Sequence, residues 1–140
     1  MTQQIIVDYP PNYDRIVARF PIVPKLPGVI FSWGYRIYNP TGGKIGPHLL
    51  RHEGVHGQRQ GNDIEGWWDR YIEDQKFRSD EELAAHRAEY GWWVENAPRN
   101  ERRQALKHIA KRYSGPLYGT GVNAKLAQGL IKRKFNGESK

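Results

Sequence analysis

Hydrophobic and polar positions follow two different periods along this chain, and the change falls near residue 46. Between 29 and 38, Val29, Phe31, Trp33, Tyr35 and Ile37 alternate with Ser32, Gly34, Arg36 and Tyr38, the period-two spacing of a half-buried strand. A shorter β candidate covers 15–23, broken by Pro21 and closed by Pro24 and Pro27, and Asn39-Pro40-Thr41-Gly42-Gly43 is turn chemistry. From Pro47 the pattern becomes helical. Pro47 suits a first helical position and Gly61 a stop, so a helix is predicted over 47–60. Further helices are predicted over 65–74, over 79–95 opened by the capping box Ser79-Asp80-Glu81-Glu82, over 99–113 and over 123–135, with a loop at 114–121. The tail 136–140 is expected to fray. Strands first and helices after predict an α+β fold, strand-rich over 1–45 and helical over 46–135, as one domain of 140 residues.

Composition removes several function classes. The absence of cysteine excludes disulfides, thiolate metal sites and a Cys nucleophile, so any metal must be held by His and carboxylate. No apolar run approaches the roughly 20 residues of a membrane span, and the start is too short and polar for a secretion signal. A mean hydropathy of −0.81 agrees with the expectation of a soluble, cytoplasmic protein. The net charge of +7 raises nucleic acid as a partner. The surplus gathers late, at Arg99, Arg102, Arg103, Lys107, Lys111, Arg112, Lys125, Lys132, Arg133, Lys134 and Lys140. A solvated helical face is the preferred account of it.

The candidate chemistry is His52-Glu53-Gly54-Val55-His56, an H-E-x-x-H inside the predicted 47–60 helix. Residues four apart on a helix share a face, so His52 and His56 can offer two imidazole nitrogens to one cation. Glu53 stands beside them as a general base for a metal-activated water. Gly54 and Gly57 each cost about 1 kcal/mol of helix propensity, a sign of close backbone packing. His48 lies on the same face. It cannot join the other two, because Cα atoms eight residues apart are about 12 Å apart while each Zn–N bond is about 2.0–2.1 Å. A catalytic zinc needs a third protein ligand, and Glu82 is the best candidate. It opens the predicted 79–95 helix, far enough along the chain for the intervening helix to bring it back. Glu81 and Glu89 are the alternatives, and capping is Glu82's competing role.

H-E-x-x-H followed by Glu82-Leu83-Ala84-Ala85-His86, an E-x-x-A-[DHY] pattern, resembles the gluzincin class of zinc metallopeptidases. The layout of strand, zinc helix, Trp67-Trp68-Asp69-Arg70-Tyr71 and glutamate helix is also similar to small metallopeptidases of phage and bacterial genomes. The motif-level resemblance spans about 29–93. It implies a reduced zincin-like core, one Zn2+ per chain on His52, His56 and Glu82, a peptide or protein substrate, and a place for His86 behind the ligands. The extended pattern H-E-x-x-H-x-x-Q of some relatives is not met, since Arg59 stands where its Gln would be.

Hydrolysis through such a zinc needs a donor for the developing oxyanion, for which His86, Tyr90 and Tyr118 are candidates. It also needs partners that orient the imidazoles, for which Asp63 or Asp69 could serve. The 29–38 strand offers an edge for an extended peptide. Two other classes compete with a peptidase: a basic nucleic-acid-binding protein with a structural zinc, and an inert zincin used as a scaffold or virion component. In each of the pairs Trp67-Trp68 and Trp92-Trp93, one ring is expected in the core and the other at its rim.

Overall fold

The computed structural model describes residues 2–138, with side chains to residue 132, and its architecture is α+β. Three short strands form the sheet: β1 (Gln4–Ile6), β2 (Phe31–Trp33) and β3 (Arg36–Tyr38), in the order β1-β3-β2. β3 is central, parallel to β1 and antiparallel to β2. The helices are α1 (Tyr13–Arg19), α2 (Pro47–Gln60), α3 (Ile64–Glu73), α4 (Gln75–Asn96), α5 (Arg99–Tyr113) and α6 (Ala124–Glu138). None is long and apolar enough to cross a membrane.

Two predicted strands are corrected. The 15–23 segment is α1 followed by a 3-10 turn at Val23–Lys25. Its buried residues Ile16, Phe20 and Val23 recur at steps of four and three, the period of a helix face, which outweighs the strand preference of its β-branched residues. The 29–38 segment is a hairpin, with Trp33 opposite Arg36 across a two-residue turn at Gly34 and Tyr35. Gly34 has φ 63°, which a type II′ turn demands at its first central position.

The helical predictions over 47–60 and 99–113 agree with α2 and α5, and Gly61 ends α2 as read. α4 begins four residues early. The Asp74 side chain accepts the Phe77 N–H and caps it, so Ser79 lies one turn inside and the capping box does not form. That removes capping as a competing role for Glu82. α6 extends through 136–138, where a frayed tail is predicted; residues 139 and 140 lie outside the described residues.

Two apolar clusters flank a polar layer. One joins Ile16, Phe20 and Phe31 to Trp67, Trp68 and Tyr71 of α3. The other joins Tyr90 of α4 to Leu106 and Ile109 of α5 and Ile131 of α6. α4 lies between them, packed on α2, α3, α5 and α6. Its buried positions include Arg78, Glu81, Glu82, His86 and Glu89, groups that stay buried only when paired. Trp67 and Trp68 are both core, while Trp92 and Trp93 are both half-buried, so neither pair divides into core and rim as predicted.

Candidate metal centre

α2 and α4 run antiparallel, held at one end by the Arg51–Glu95 ion pair and at the other by Arg59, which donates two hydrogen bonds to Glu81 at 2.9 and 2.7 Å. Between these clamps His52 and His56 on α2 face Glu82 on α4. All three are buried, and one donor atom from each lies within 4.8 Å of the others. His52 Nε2 is 3.4 Å from Glu82 Oε1, and His56 Nε2 is 3.1 Å from Glu82 Oε2. Ligands of a tetrahedral zinc bonded at about 2.0–2.1 Å stand about 3.3 Å apart, so the donor spacing fits one ion. Glu82 Oε1 has no hydrogen-bond donor of its own. Glu81 and Glu89, the alternative ligands, are engaged elsewhere, Glu81 by Arg59 and Trp67 Nε1 and Glu89 by His52 and Arg112.

Electrostatics also favour a cation. Glu53, Glu82 and Glu89 are buried around two imidazoles, and the Arg112 guanidinium neutralises Glu89. Burial alone would raise the Glu82 carboxyl, but His56 and His52 outweigh it and hold the group well below its ordinary range. For His52, burial lowers the pKa, yet Glu82 and Glu89 prevail and raise it to about 10. In the metal-free protein, then, a proton on His52 balances the carboxylates, and a metal ion would displace it.

The partners around the ligands differ from those the sequence suggests. His52 Nδ1 is 2.9 Å from Glu89 Oε1, which orients the ring so that Nε2 points at Glu82. Tyr71 donates to Glu82 Oε2 at 2.6 Å. Asp63 instead caps α3, and Asp69 pairs with Arg15. Glu89→Ala is expected to weaken metal affinity about 10–100-fold, and Glu89→Gln, which keeps an acceptor for His52, less. Competition with a chromophoric chelator measures both; unchanged affinity in Glu89→Ala would show that His52 needs no such partner.

The hairpin positions Glu53. Ser32 on β2 donates to Glu53 Oε1 at 2.6 Å, leaving Oε2 3.7 Å from His52 Nε2. The Ser32 carbonyl is fixed in turn by Gln60 Nε2 at 3.1 Å and Trp68 Nε1 at 3.0 Å, and the Gly34 N–H donates to Gln60 Oε1 at 2.6 Å. This close approach needs Gly57, because a Cβ there would overlap the Gly34 carbonyl oxygen.

The chain matches no family model, no curated protein and no solved structure.

The remaining candidates separate cleanly. His52, Glu53, His56, Glu82 and Tyr118 all line one cavity of about 80 Å³. His86 lies behind Glu82, fully buried, its Nδ1–H donated to the Glu82 carbonyl at 2.6 Å. Burial lowers its pKa to about 3, so it is neutral and Nε2 carries a lone pair rather than a proton to donate. Tyr90 is buried in the cluster that α4 forms with α5 and α6, and it lines neither this cavity nor the groove beside it. His48 packs on Trp92 and Trp93 and lines a neighbouring groove. Ser32, Gln60 and Arg78 support this arrangement without a signal in the sequence, and Tyr71 enters the sequence reading only within the Trp67–Tyr71 layout. Arg78 donates to the Tyr118 carbonyl at 3.1 Å and the Tyr71 carbonyl at 2.7 Å, fixing the loop that carries Tyr118.

Proposed function

We propose that the chain is a zinc-dependent metallohydrolase of gluzincin-like design, acting on peptide bonds. The observation that carries this reading is the Glu53 carboxylate: buried, oriented by Ser32, and lining the same small cavity as the three donor residues. A divalent ion confined to structure needs no such base. Zinc on His52, His56 and Glu82 would supply a Lewis acid that acidifies water and polarises a carbonyl, with the two imidazoles and one carboxylate leaving a position open.

The chain's own residues supply the rest. Glu53 accepts the proton of the attacking water and returns it to the leaving amine. Tyr118 lines the cavity, and burial, reinforced by Glu82 and Glu53, raises its hydroxyl well above the ordinary range. It therefore stays protonated and can donate to a developing oxyanion, a role that neutral His86 fits less well, while Tyr90 does not line the cavity. The outer edge of β2 is already taken, its Ser32 carbonyl accepting from Gln60 and Trp68, so the hairpin serves to position Glu53 rather than to receive a peptide strand.

Hydrolysis of unstructured peptides, lost on chelation and restored by stoichiometric zinc, is the expected result. Peptides left intact by the zinc-loaded protein would contradict the reading. The competing nucleic-acid reading rests on exposed cations along α5 and α6, among them Arg99, Arg103, Lys107 and Lys125. Among the described residues they form a solvated face with no aromatic platform interleaved.

A further inference from the structure

The small cavity does not stand alone. Val29, Ile30, His52, Glu53, Leu117 and Tyr118 line both it and a groove of about 990 Å³. Ile22, Leu26, Leu49 and Trp93 give it apolar lining. α5 contributes a single face, where Asn100, Gln104, His108 and Lys111 recur at helical steps.

Charge along α5 is graded. Glu101 stands near the start of α5, and Lys111 lies ten positions on, about 15 Å along the axis. The basic end is the one beside the metal centre, because Arg112 pairs with Glu89, which holds His52. Arg112 is not used up by that contact: its side chain is 42% exposed and a guanidinium offers five N–H donors. Lys111 is exposed, and no acid among the described residues pairs with it. About four to five residues of extended chain span such a length at roughly 3.3 Å each.

We propose that this groove takes a short extended peptide whose carboxylate meets Lys111 and the free side of Arg112, so that an anionic group beside the scissile bond sets specificity. The apolar lining accepts the peptide's uncharged side chains. A nucleic acid would bring phosphates against Ile22, Leu26 and Trp93 and gain nothing from them. A carboxylate, by contrast, finds in Arg112 and Lys111 donors matched to its two oxygens. The carboxylate can be the C-terminus or an acidic side chain, and the two sources are separable. This inference rests on the peptidase reading for the position of the scissile bond.

The test uses zinc-loaded Glu53→Gln protein, so that bound peptides survive, and fluorescence anisotropy of labelled alanine-based pentapeptides. One carries a free C-terminal carboxylate, one is amidated, and an amidated series carries a single Glu at each position. At least one anionic peptide is expected to bind about tenfold tighter than the neutral amide. The carboxylate–amide pair then identifies a terminal source and the Glu series a side-chain source. Lys111→Ala should shrink the preference and Lys111→Glu remove it, without altering the circular dichroism spectrum, since Lys111 is exposed. Equal affinity for anionic and neutral peptides, an unchanged preference in Lys111→Glu, no binding of any peptide, or displacement of the peptide by an oligonucleotide would each overturn the proposal. Failure of the peptidase reading looks different: anionic peptides bind with the Lys111-dependent preference, yet wild-type protein cleaves none of them. Cleavage of neutral and anionic peptides at equal rates would overturn the groove assignment alone.

Discussion

Glu53→Gln is expected to lower kcat for peptide hydrolysis by about 10²–10⁴-fold while leaving metal content and fold intact. Gln has nearly the shape of Glu, and its amide oxygen can still accept the Ser32 hydroxyl that now reaches Glu53 Oε1 at 2.6 Å. What it loses is the ability to take a proton. The residue is not one of the three donors, so metal stoichiometry should stay at the wild-type value. KM should change little, because the lost interaction is made in the transition state rather than in substrate binding. Steady-state kinetics with metal analysis on the same sample reads all three. A variant that keeps wild-type kcat would move the base elsewhere, and one that loses its metal would make Glu53 a structural residue.

Gly57→Ala is expected to destabilise the fold by about 2–3 kcal/mol, although alanine favours a helix by about 1 kcal/mol over glycine. The added Cβ would overlap the Gly34 carbonyl oxygen, and backbone cannot swing aside as a side chain can. The hairpin must retreat from α2. That movement loosens the Gly34–Gln60 and Ser32–Glu53 hydrogen bonds, so the positioning of the base suffers with stability. Gly54→Ala is the control: its Cβ would meet only the end of the Gln3 side chain, 3.1 Å away, and that side chain can turn. Urea unfolding should show Gly57→Ala with a clearly lower midpoint and Gly54→Ala near wild type or above. The reverse order would mean that the hairpin does not seat on α2 at this point.

The three candidate metal ligands were legible for two reasons. His52 and His56 needed only a helix around them, and Pro47 and Gly61 mark that helix in the sequence. Glu82 was reachable because α3 is a short reversing helix between two longer ones. Partners that come from distant segments left no such trace. Glu89 lies two turns beyond Glu82 and reads only as an alternative metal ligand; the antiparallel pairing of α2 and α4 makes it the partner of His52 instead. Ser32 sits on the polar side of an alternating run, which reads as the solvent side, yet α2 covers that side and Ser32 is 2% exposed. The 29–38 run hid its turn because Gly34 occupies a position that alternation alone assigns to a strand. The 15–23 segment misled for the opposite reason. Its β-branched residues suggest a strand, and tertiary burial of Ile16, Phe20 and Val23 on one face decides for a helix.

The fold tolerates a polar layer between two apolar clusters because its buried carboxylates meet partners, and the atoms left without one there are Glu82 Oε1, His56 Nδ1 and His86 Nε2. That arrangement makes metal content the most direct measurement of the account. Purified wild-type protein, His56→Ala and Glu82→Ala should be compared by elemental analysis after the same metal-replete preparation, with circular dichroism as the check on folding. The account predicts one zinc per chain in the wild type and a large loss of zinc in both folded variants. A folded wild type that takes up no zinc, or variants that keep it at full stoichiometry, would contradict it.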